Sequence, residues 1–438
     1  MRKLLLIQPS PYDRNRRPIK KRRLYFVGLA MPALAALTPS DWEVEICLET
    51  IEEVPFETDA DVIGIGSMGH GIWRSIDLAR EFKARGKIVV LGGYMASLMP
   101  QEALKYCDCV VVGDAEPVWA DLLSDYCSGT LKPIYQRTLG DFDPPLPRYE
   151  LVTGKRIGDA LPVQAGRGCP NGCSFCSISC LYRGRYYRRP IKDVIRDIRR
   201  VKQLGFRKFL LLDDNILSDR DYMLALCNEI AKLKMTWISQ CSIDIGRDAE
   251  LLEGVAASGC TALSFGLESI SSESLLAMNK GWANPAEYKQ LIARVINAGI
   301  DVSSEMVIGA DGDTLESIRD TARFIQTSGI VLPRFYILTP IPGTDFFHEM
   351  QAAGRICNDD IYSYNGVEAV HVPKHMSPQQ LTDAYWKLYR DLFSVPSILR
   401  RTVLSRQVWR HPLRYAFYAL ISFYYRRQIK QGTAPNIF

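Results

Sequence analysis

Between residues 166 and 180 the chain reads Gly166-Arg-Gly-Cys169-Pro-Asn-Gly-Cys173-Ser-Phe-Cys176-Ser-Ile-Ser-Cys180, and four of its twelve cysteines fall there. Thiolates this close in sequence are soft ligands, and an iron–sulfur cluster is their usual occupant. Three cysteines on a four-iron cluster leave one iron open to a substrate or cofactor. A structural zinc site fits less well, because four-cysteine zinc sites come as two C-x2-C knuckles separated by a longer loop. A ferredoxin-type set that includes Cys180 also fits less well, since that run is spaced x2, x2, x3 and followed by Pro. Plain buried thiols do not suit a stretch punctuated by Gly166, Gly168, Pro170 and Gly172, which mark a loop. The segment reads as a cluster loop held by Cys169, Cys173 and Cys176, with Cys180 a spare, structural thiol. Most other cysteines sit among apolar neighbours and read as buried free thiols.

Such a loop needs a scaffold, and residues 160 to 345 carry the pattern of one. Strand candidates at Val163–Ala165, Lys208–Asp213, Trp237–Ser242, Ala262–Gly266, Asp301–Ile308 and Arg334–Thr339 alternate with helices near 190–203, 219–233, 247–257, 284–298 and 313–328. Six βα-type units make a partial barrel, and functional groups in such barrels gather at the carboxyl ends of the strands. The cysteine segment directly follows the first strand. Upstream, strands at Lys3–Gln8, Val44–Leu48, Asp61–Ser67, Lys87–Gly92 and Cys109–Gly113 alternate with helices at Leu29–Leu37, Ile72–Ala84, Gln101–Tyr106 and Pro117–Tyr126. That alternation implies a parallel sheet covered on both faces, in a flavodoxin-like doubly wound order. The Pro-rich stretch Asp143–Arg148 marks a boundary. The α/β chain therefore divides into 1–140, 155–345 and a helical region at 346–438, where Ser377–Phe393 is an amphipathic helix with Ser377 as N-cap and Pro378 at its first position.

Composition narrows the function classes. The 438 residues are 47% hydrophobic and 24% charged, which is ordinary globular material. No apolar run reaches membrane-spanning length and the N-terminus carries no signal-peptide core, so a cytoplasmic protein is expected. The net charge of +5 is uneven: residues 394–438 hold eight Arg/Lys and no Asp/Glu, leaving −3 for the rest. A charge-driven nucleic-acid footprint would spread basic residues over the main domains, so no nucleic-acid partner is expected. The tail interleaves its arginines with Trp409, Tyr415, Phe417, Tyr418, Phe423, Tyr424 and Tyr425. That mixture suits a lipid headgroup interface, giving peripheral contact through 396–430 at the inner membrane face. A helix docked on the barrel floor would show the same aromatics. Seven Arg/Lys within Arg14–Arg23 read as a solvated loop, and Arg183, Arg185, Arg188 and Arg189 are candidates to close over an anionic group.

The chain resembles the radical S-adenosylmethionine superfamily, in the subfamily with a B12-binding domain, and through it the hopanoid methylases and the anaerobic bacteriochlorophyll cyclase. Besides the cysteine loop, the resemblance rests on Phe209-Leu-Leu-Leu-Asp213-Asp-Asn215, Ser264-Phe-Gly266-Leu-Glu268-Ser269, Ile308-Gly309-Ala-Asp-Gly-Asp313-Thr314 and Thr339-Pro-Ile-Pro-Gly-Thr344, in that order. It implies a [4Fe–4S] cluster on Cys169, Cys173 and Cys176, with S-adenosylmethionine chelated at the open iron. Phe175 is implied to lie against adenine, Asp213 and Asn215 near the methionine amino group, and Gly266 and Glu268 near ribose or carboxylate. Ile308 and Gly309 fall in the adenine motif. Asp213, Asp214 and Glu268 have a second reading as caps of the helices that follow their strands.

The N-terminal region resembles a cobalamin-binding domain of flavodoxin type. Ser67, Gly92, Gly93, Gly113 and Glu116 stand where that family keeps its cobalamin contacts. The chain departs from many cobalamin proteins in lacking an Asp-x-His-x-x-Gly loop after the first strand, where it reads Pro9-Ser-Pro-Tyr-Asp-Arg. The function implied is reductive cleavage of S-adenosylmethionine in the service of a cobalamin-dependent methyl transfer to an unactivated carbon of a small molecule, lipid or tetrapyrrole. The alternative is a cobalamin-independent radical cyclase, oxidoreductase or other group transferase with a vestigial B12-type domain. Either needs an electron donor such as flavodoxin or ferredoxin. The sequence singles out no catalytic residue.

Overall fold

The structure is a computed structural model that describes residues 1–13, 15–67 and 72–435. Contacts group the chain into two units, one of 1–165 with 187–210 and one of 166–186 with 211 onward.

The first unit holds strands β1 (Arg2–Gln8), β2 (Leu24–Phe26), β3 (Trp42–Leu48), β4 (Val62–Ser67), β5 (Ile88–Gly93), β6 (Cys109–Val112), β7 (Ile134–Gln136) and β8 (Ile157–Gln164). Six of them form a parallel sheet in the order β3-β1-β4-β5-β6-β7. The first five strands of that order are the doubly wound arrangement expected from sequence. The middles of β1 and β5, Leu4–Ile7 and Val89–Leu91, are buried runs with no alternation, as strands covered on both faces require, while the edge strand β3 alternates with Glu43 and Glu45 exposed. The sixth, β7, has three residues and a single buried side chain, Tyr135, too short to show a period. The helix expected at Gln101–Tyr106 shrinks to Pro100–Ala103, and an unforeseen helix, Tyr94–Leu98, starts directly after Gly93. β2 pairs in parallel with β8.

The basic residues of this unit serve structure more than ligand capture. Lys20 donates to the carbonyls of Glu49 and Glu52, and Arg74 grips Glu49 through Nε and Nη2 at 2.8 and 2.6 Å. Arg189, expected over an anionic group, is instead 1% exposed and pairs at 2.8 Å with Asp197, itself fully buried. Its Nη1 also donates to the Gln164 carbonyl.

Two short strands, β9 (Gly166–Gly168) and β10 (Tyr186–Arg188), stand on either side of the cysteine segment. The series β11 (Lys208–Leu212), β12 (Thr236–Cys241), β13 (Cys260–Glu268), β14 (Asp301–Ile308) and β15 (Leu332–Ile337) follows, neighbours in that order, with β12 to β15 in the second unit. Helices Arg220–Ala231, Ala249–Ala257, Tyr288–Asn297 and Leu315–Ser328 connect or follow them. Three of the four begin at a side-chain cap: Asp219 and Asp248 accept from the backbone at N3, and Thr314 forms a capping box with Ser317. With every strand parallel, all carboxyl ends gather at one rim.

Helix Pro378–Leu392 starts at the foreseen Ser377 cap, and its buried Tyr389 exchanges hydrogen bonds with the backbone of Phe335 on β15. Arg401, counted among the basic tail residues, is buried and donates to the carbonyls of Val331 and Leu392. Burial lowers its pKa to about 10. No helix among the described residues is long and apolar enough to cross a membrane.

Replacing Arg189 with Met would leave the Asp197 carboxylate buried with only Arg196 beside it. Loss of one partner from such a pair costs about 3–5 kcal/mol, so urea unfolding of Arg189→Met is expected to show a destabilisation of that order.

Candidate functional site

The cysteine loop has little regular structure of its own, so other elements must fix it. At its start, Gly166 lies so close to Tyr186 and Asp213 that a Cβ would stand 2.1 Å from the Tyr186 hydroxyl. Gly168 adopts φ +90, and a Cβ there would meet the Arg185 carbonyl at 2.2 Å. Both positions need glycine. The Gly168 N–H donates to Asp214 Oδ2 at 2.6 Å, and the Tyr186 hydroxyl donates to Asp213 Oδ2 at 2.6 Å. The two carboxylates after β11 therefore hold the entry and exit of the loop. They do not cap the next helix, which Asp219 does.

A second brace comes from the segment after β13. The Ser174 N–H donates to the Met278 carbonyl at 3.1 Å, and Asn279 Nδ2 donates to the Gly172 carbonyl. Next to them Lys280, 7% exposed, donates to the Gly266 carbonyl at 2.7 Å and to Glu268 Oε1 at 2.9 Å. Glu268 sits at φ +61, a left-handed conformation uncommon for a side chain of this size, at a register shift between β13 and β14. A Cβ on Gly266 would lie 2.5 Å from that carboxylate. Glu268 is again no helix cap; Ser271 takes that role. Sequence reading found Gly266 and Glu268 but missed Lys280, which no local pattern marks.

The third brace follows β15. The Phe346 N–H donates to the Ser174 carbonyl at 3.0 Å, and the Cys180 thiol donates to the Gly343 carbonyl at 2.9 Å. Cys180 thus has a structural partner of its own.

Within this frame Cys173 is buried while Cys169 and Cys176 are half-buried. All three thiol pKa values are pushed up, chiefly by burial, and Cys173 reaches about 11. The thiols also raise one another, while Lys280 lowers Cys173 and Asn215 lowers Cys169 by hydrogen bonding. Backbone N–H groups of Ile178 and Ser179 favour the Cys176 thiolate, as expected for an N-cap position. Among the described residues, no group of three or more His, Cys, Asp or Glu side chains closes on a point that could hold a single metal ion. A four-iron cluster is a larger body that keeps its cysteines further apart than one zinc would. Three convergent, partly accessible thiols flanked by a buried cation fit that group. Of the remaining cysteines, Cys127 and Cys357 are exposed and the other six buried.

Asn215 also joins neighbouring strand ends, accepting from the Ser242 N–H at 3.1 Å. Phe175 is half-buried between two of the cysteines. Ile308 is buried at the end of β14, and Gly309 turns the chain at φ +99. There Asp313 accepts from the N–H groups of Gly309 and Ala310 and from Ser274, so its carboxylate closes the turn.

In the first unit the structure brings Ser67, Gly92, Gly93 and Gly113 to the carboxyl ends of three adjacent strands. Ser67 pairs with Gly93 in register; its side chain, with Met68 and Gly69, lies outside the described residues. Ser97, missed in the sequence, accepts from the Gly113 N–H and donates to the Gly93 carbonyl, both at 2.9 Å. Gly93 and Gly113 have φ +100 and +78, and a Cβ on Gly113 would point into open space. Glu116 follows, half-buried. This glycine-lined rim fits a bulky ligand laid against backbone.

The chain matches the radical SAM superfamily over residues 163–325 and the B12 binding domain over residues 31–123. It is 30% identical to a bacteriochlorophyllide d C-8(2)-methyltransferase of Chlorobaculum tepidum, over 90% of each chain. Among solved structures it resembles the cobalamin-dependent S-adenosylmethionine radical enzyme OxsB, with a TM-score of 0.70 at 13% identity, covering 100% of this chain and 73% of that one. It also resembles the radical S-adenosylmethionine methyltransferase TsrM of Kitasatospora setae, with a TM-score of 0.67 at 17% identity, covering 88% and 89%. These two structures share its fold: a B12-binding-type domain followed by a partial α/β barrel.

Burial pushes the Asp213 pKa up to about 7. An unfolded Asp releases its proton near pH 4, so between about pH 4 and pH 7 the folded state binds more protons. Stability contributed by this group therefore falls as pH rises through that window. Asp213→Asn is expected to remove that fall, read as the difference between wild-type and variant urea midpoints across the same pH range.

Proposed function

Because the chain belongs to the radical S-adenosylmethionine enzymes that carry a B12-binding domain, we propose that it methylates an unactivated carbon of a tetrapyrrole. A lipid or another small molecule is the wider substrate class. The carrying observation is the loop of Cys169, Cys173 and Cys176, braced from three strand ends, in a chain related over nine-tenths of its length to a bacteriochlorophyllide methyltransferase. The family's cofactors are a [4Fe–4S] cluster, S-adenosylmethionine and cobalamin. When bound, the cluster supplies the electron that cleaves the sulfonium and cobalamin supplies the methyl group.

The chain's residues then hold and orient. Cys169, Cys173 and Cys176 take three irons. Phe175, Asp213, Asn215, Gly266, Glu268, Ile308 and Gly309 are assigned to S-adenosylmethionine, with Asp213 acting also through its grip on Tyr186. Ser67, Gly92, Gly93, Gly113 and Glu116 are assigned to cobalamin. Residues 1–140 form the cobalamin domain, 155–345 the barrel and 346–438 the helical region. The enzyme works in the cytoplasm, takes electrons from a donor such as flavodoxin or ferredoxin, and touches the inner membrane face through 396–430.

Lys280 places a buried positive charge beside the cluster ligands. Its removal in Lys280→Met is expected to make the cluster midpoint potential more negative in a spectroelectrochemical titration, with iron content unchanged.

The test is anaerobic reconstitution with iron, sulfide and cobalamin, then product analysis with S-adenosylmethionine, dithionite and a tetrapyrrole. Expected products are 5′-deoxyadenosine and S-adenosylhomocysteine from protein that shows corrin absorption, and neither from the Cys169/Cys173/Cys176 triple Ala variant. Deoxyadenosine from protein that binds no corrin would transfer the assignment to a cobalamin-independent radical enzyme.

A further inference from the structure

Helix Pro412–Lys430 is apolar on two opposite faces. Tyr415, Tyr418, Ser422, Tyr425 and Ile429 recur every three or four residues and are buried. Tyr415 and Tyr418 pack on Val331, and Arg414 and the Tyr418 hydroxyl both bond Asp301, the first residue of β14. That face docks on the barrel floor. On the other side Leu413, Phe417, Leu420 and Tyr424 repeat the same spacing, and all are exposed, Leu413 at 88% and Leu420 at 70%. The approach to the helix adds Leu404 and Trp409, at 75% and 90% exposure. A helix on a globular surface needs one apolar stripe, and among the described residues the second stays exposed.

The charges around the stripe show what it suits. Arg401, Arg414 and Arg426 turn inward to carbonyls and Asp301. Arg400, Arg410, Arg427 and Lys430 are exposed, and Arg427 follows Leu420 by seven residues and Tyr424 by three, on the stripe itself. Residues 394–438 contain no Asp or Glu. A second copy related by a twofold axis would set this basic patch against itself, which like-charge repulsion opposes. An anionic bilayer answers the apolar stripe and the cations together.

We propose that Trp409, Leu413, Phe417 and Leu420 enter the acyl boundary of an anionic lipid surface, with the helix axis in the membrane plane and the exposed cations on the headgroups. This deepens the peripheral contact proposed above and rests on it. The stripe lies at the amino-terminal ends of the strands, while the cysteine loop sits at their carboxyl ends, so docking leaves the site free.

Flotation of the full chain with vesicles of phosphatidylcholine alone, or mixed with phosphatidylglycerol, tests this. Wild type is expected to float with the mixed vesicles, weakly with phosphatidylcholine, and less at high salt. The variant Leu413→Ser/Phe417→Ser/Leu420→Ser is expected to bind at least about tenfold more weakly, with thermal unfolding and deoxyadenosine formation unchanged. Arg400→Gln/Arg410→Gln/Arg427→Gln should lose the preference for phosphatidylglycerol. Wild type that floats with neither vesicle overturns the membrane contact itself. A serine variant that floats like wild type overturns the stripe alone, as does loss in that variant of a concentration-dependent dimer.

Discussion

The structure turns on one constraint: three thiols must be held near each other before anything binds them, in a loop that cannot hold itself. Burial and mutual repulsion push their protons on, so the unliganded loop has no attraction of its own to keep the sulfurs together. The fold supplies that order from outside. Asp213 and Asp214 take its ends, Met278 and Asn279 its middle, and Gly343 and Phe346 its far side. These six residues come from the connections that follow three strands, β11, β13 and β15, widely separated in sequence. Only an all-parallel series brings such ends to one rim, and in that sense the topology serves the loop.

The same economy explains the strained glutamate. A left-handed Glu268 costs on the order of 1–3 kcal/mol and persists only where its surroundings over-determine it. Here Lys280 binds both its carboxylate and the Gly266 carbonyl, so one buried cation fixes the bulge, neutralises the acid and lowers the thiol beside it. The pair is internally neutral and sits next to sulfurs that become anionic on metal binding. A charge placed there acts on the cluster without ligating it.

Much of this was legible in the sequence because it is periodic or cysteine-coded. Central strands such as Leu4–Ile7 are apolar runs, the Ser377–Pro378 pair marks a helix start, and Cys169, Cys173 and Cys176 announce themselves by spacing. What escaped was local pairing across long separations. Nothing near Lys280 marks it as buried, since its partners Gly266 and Glu268 meet it only through the turn after β13. Arg189 read as a ligand for an anionic group and Arg401 as part of the basic tail because residue type carries no burial, and both are inside, bonded to carbonyls or to Asp197. Strand β7 and Ser97 were missed for a simpler reason: elements of three to five residues have no room for a period.

The tail shows where sequence and structure each stop. Its aromatic and basic composition fits a docked helix and a lipid-facing helix equally well; the structure docks one face on the barrel and leaves the other exposed, and the lipid contact is proposed for that second face. The inward face uses tyrosines whose hydroxyls need a partner when buried, and Tyr418 finds Asp301. The outward face is led by Leu413, Phe417 and Leu420, which need none, while the Tyr424 hydroxyl accepts from Gln428 Nε2 on the same helix. The proposed lipid contact draws on that difference: Leu413, Phe417 and Leu420 ask for no hydrogen-bonding partner, and the acyl boundary of a bilayer offers none.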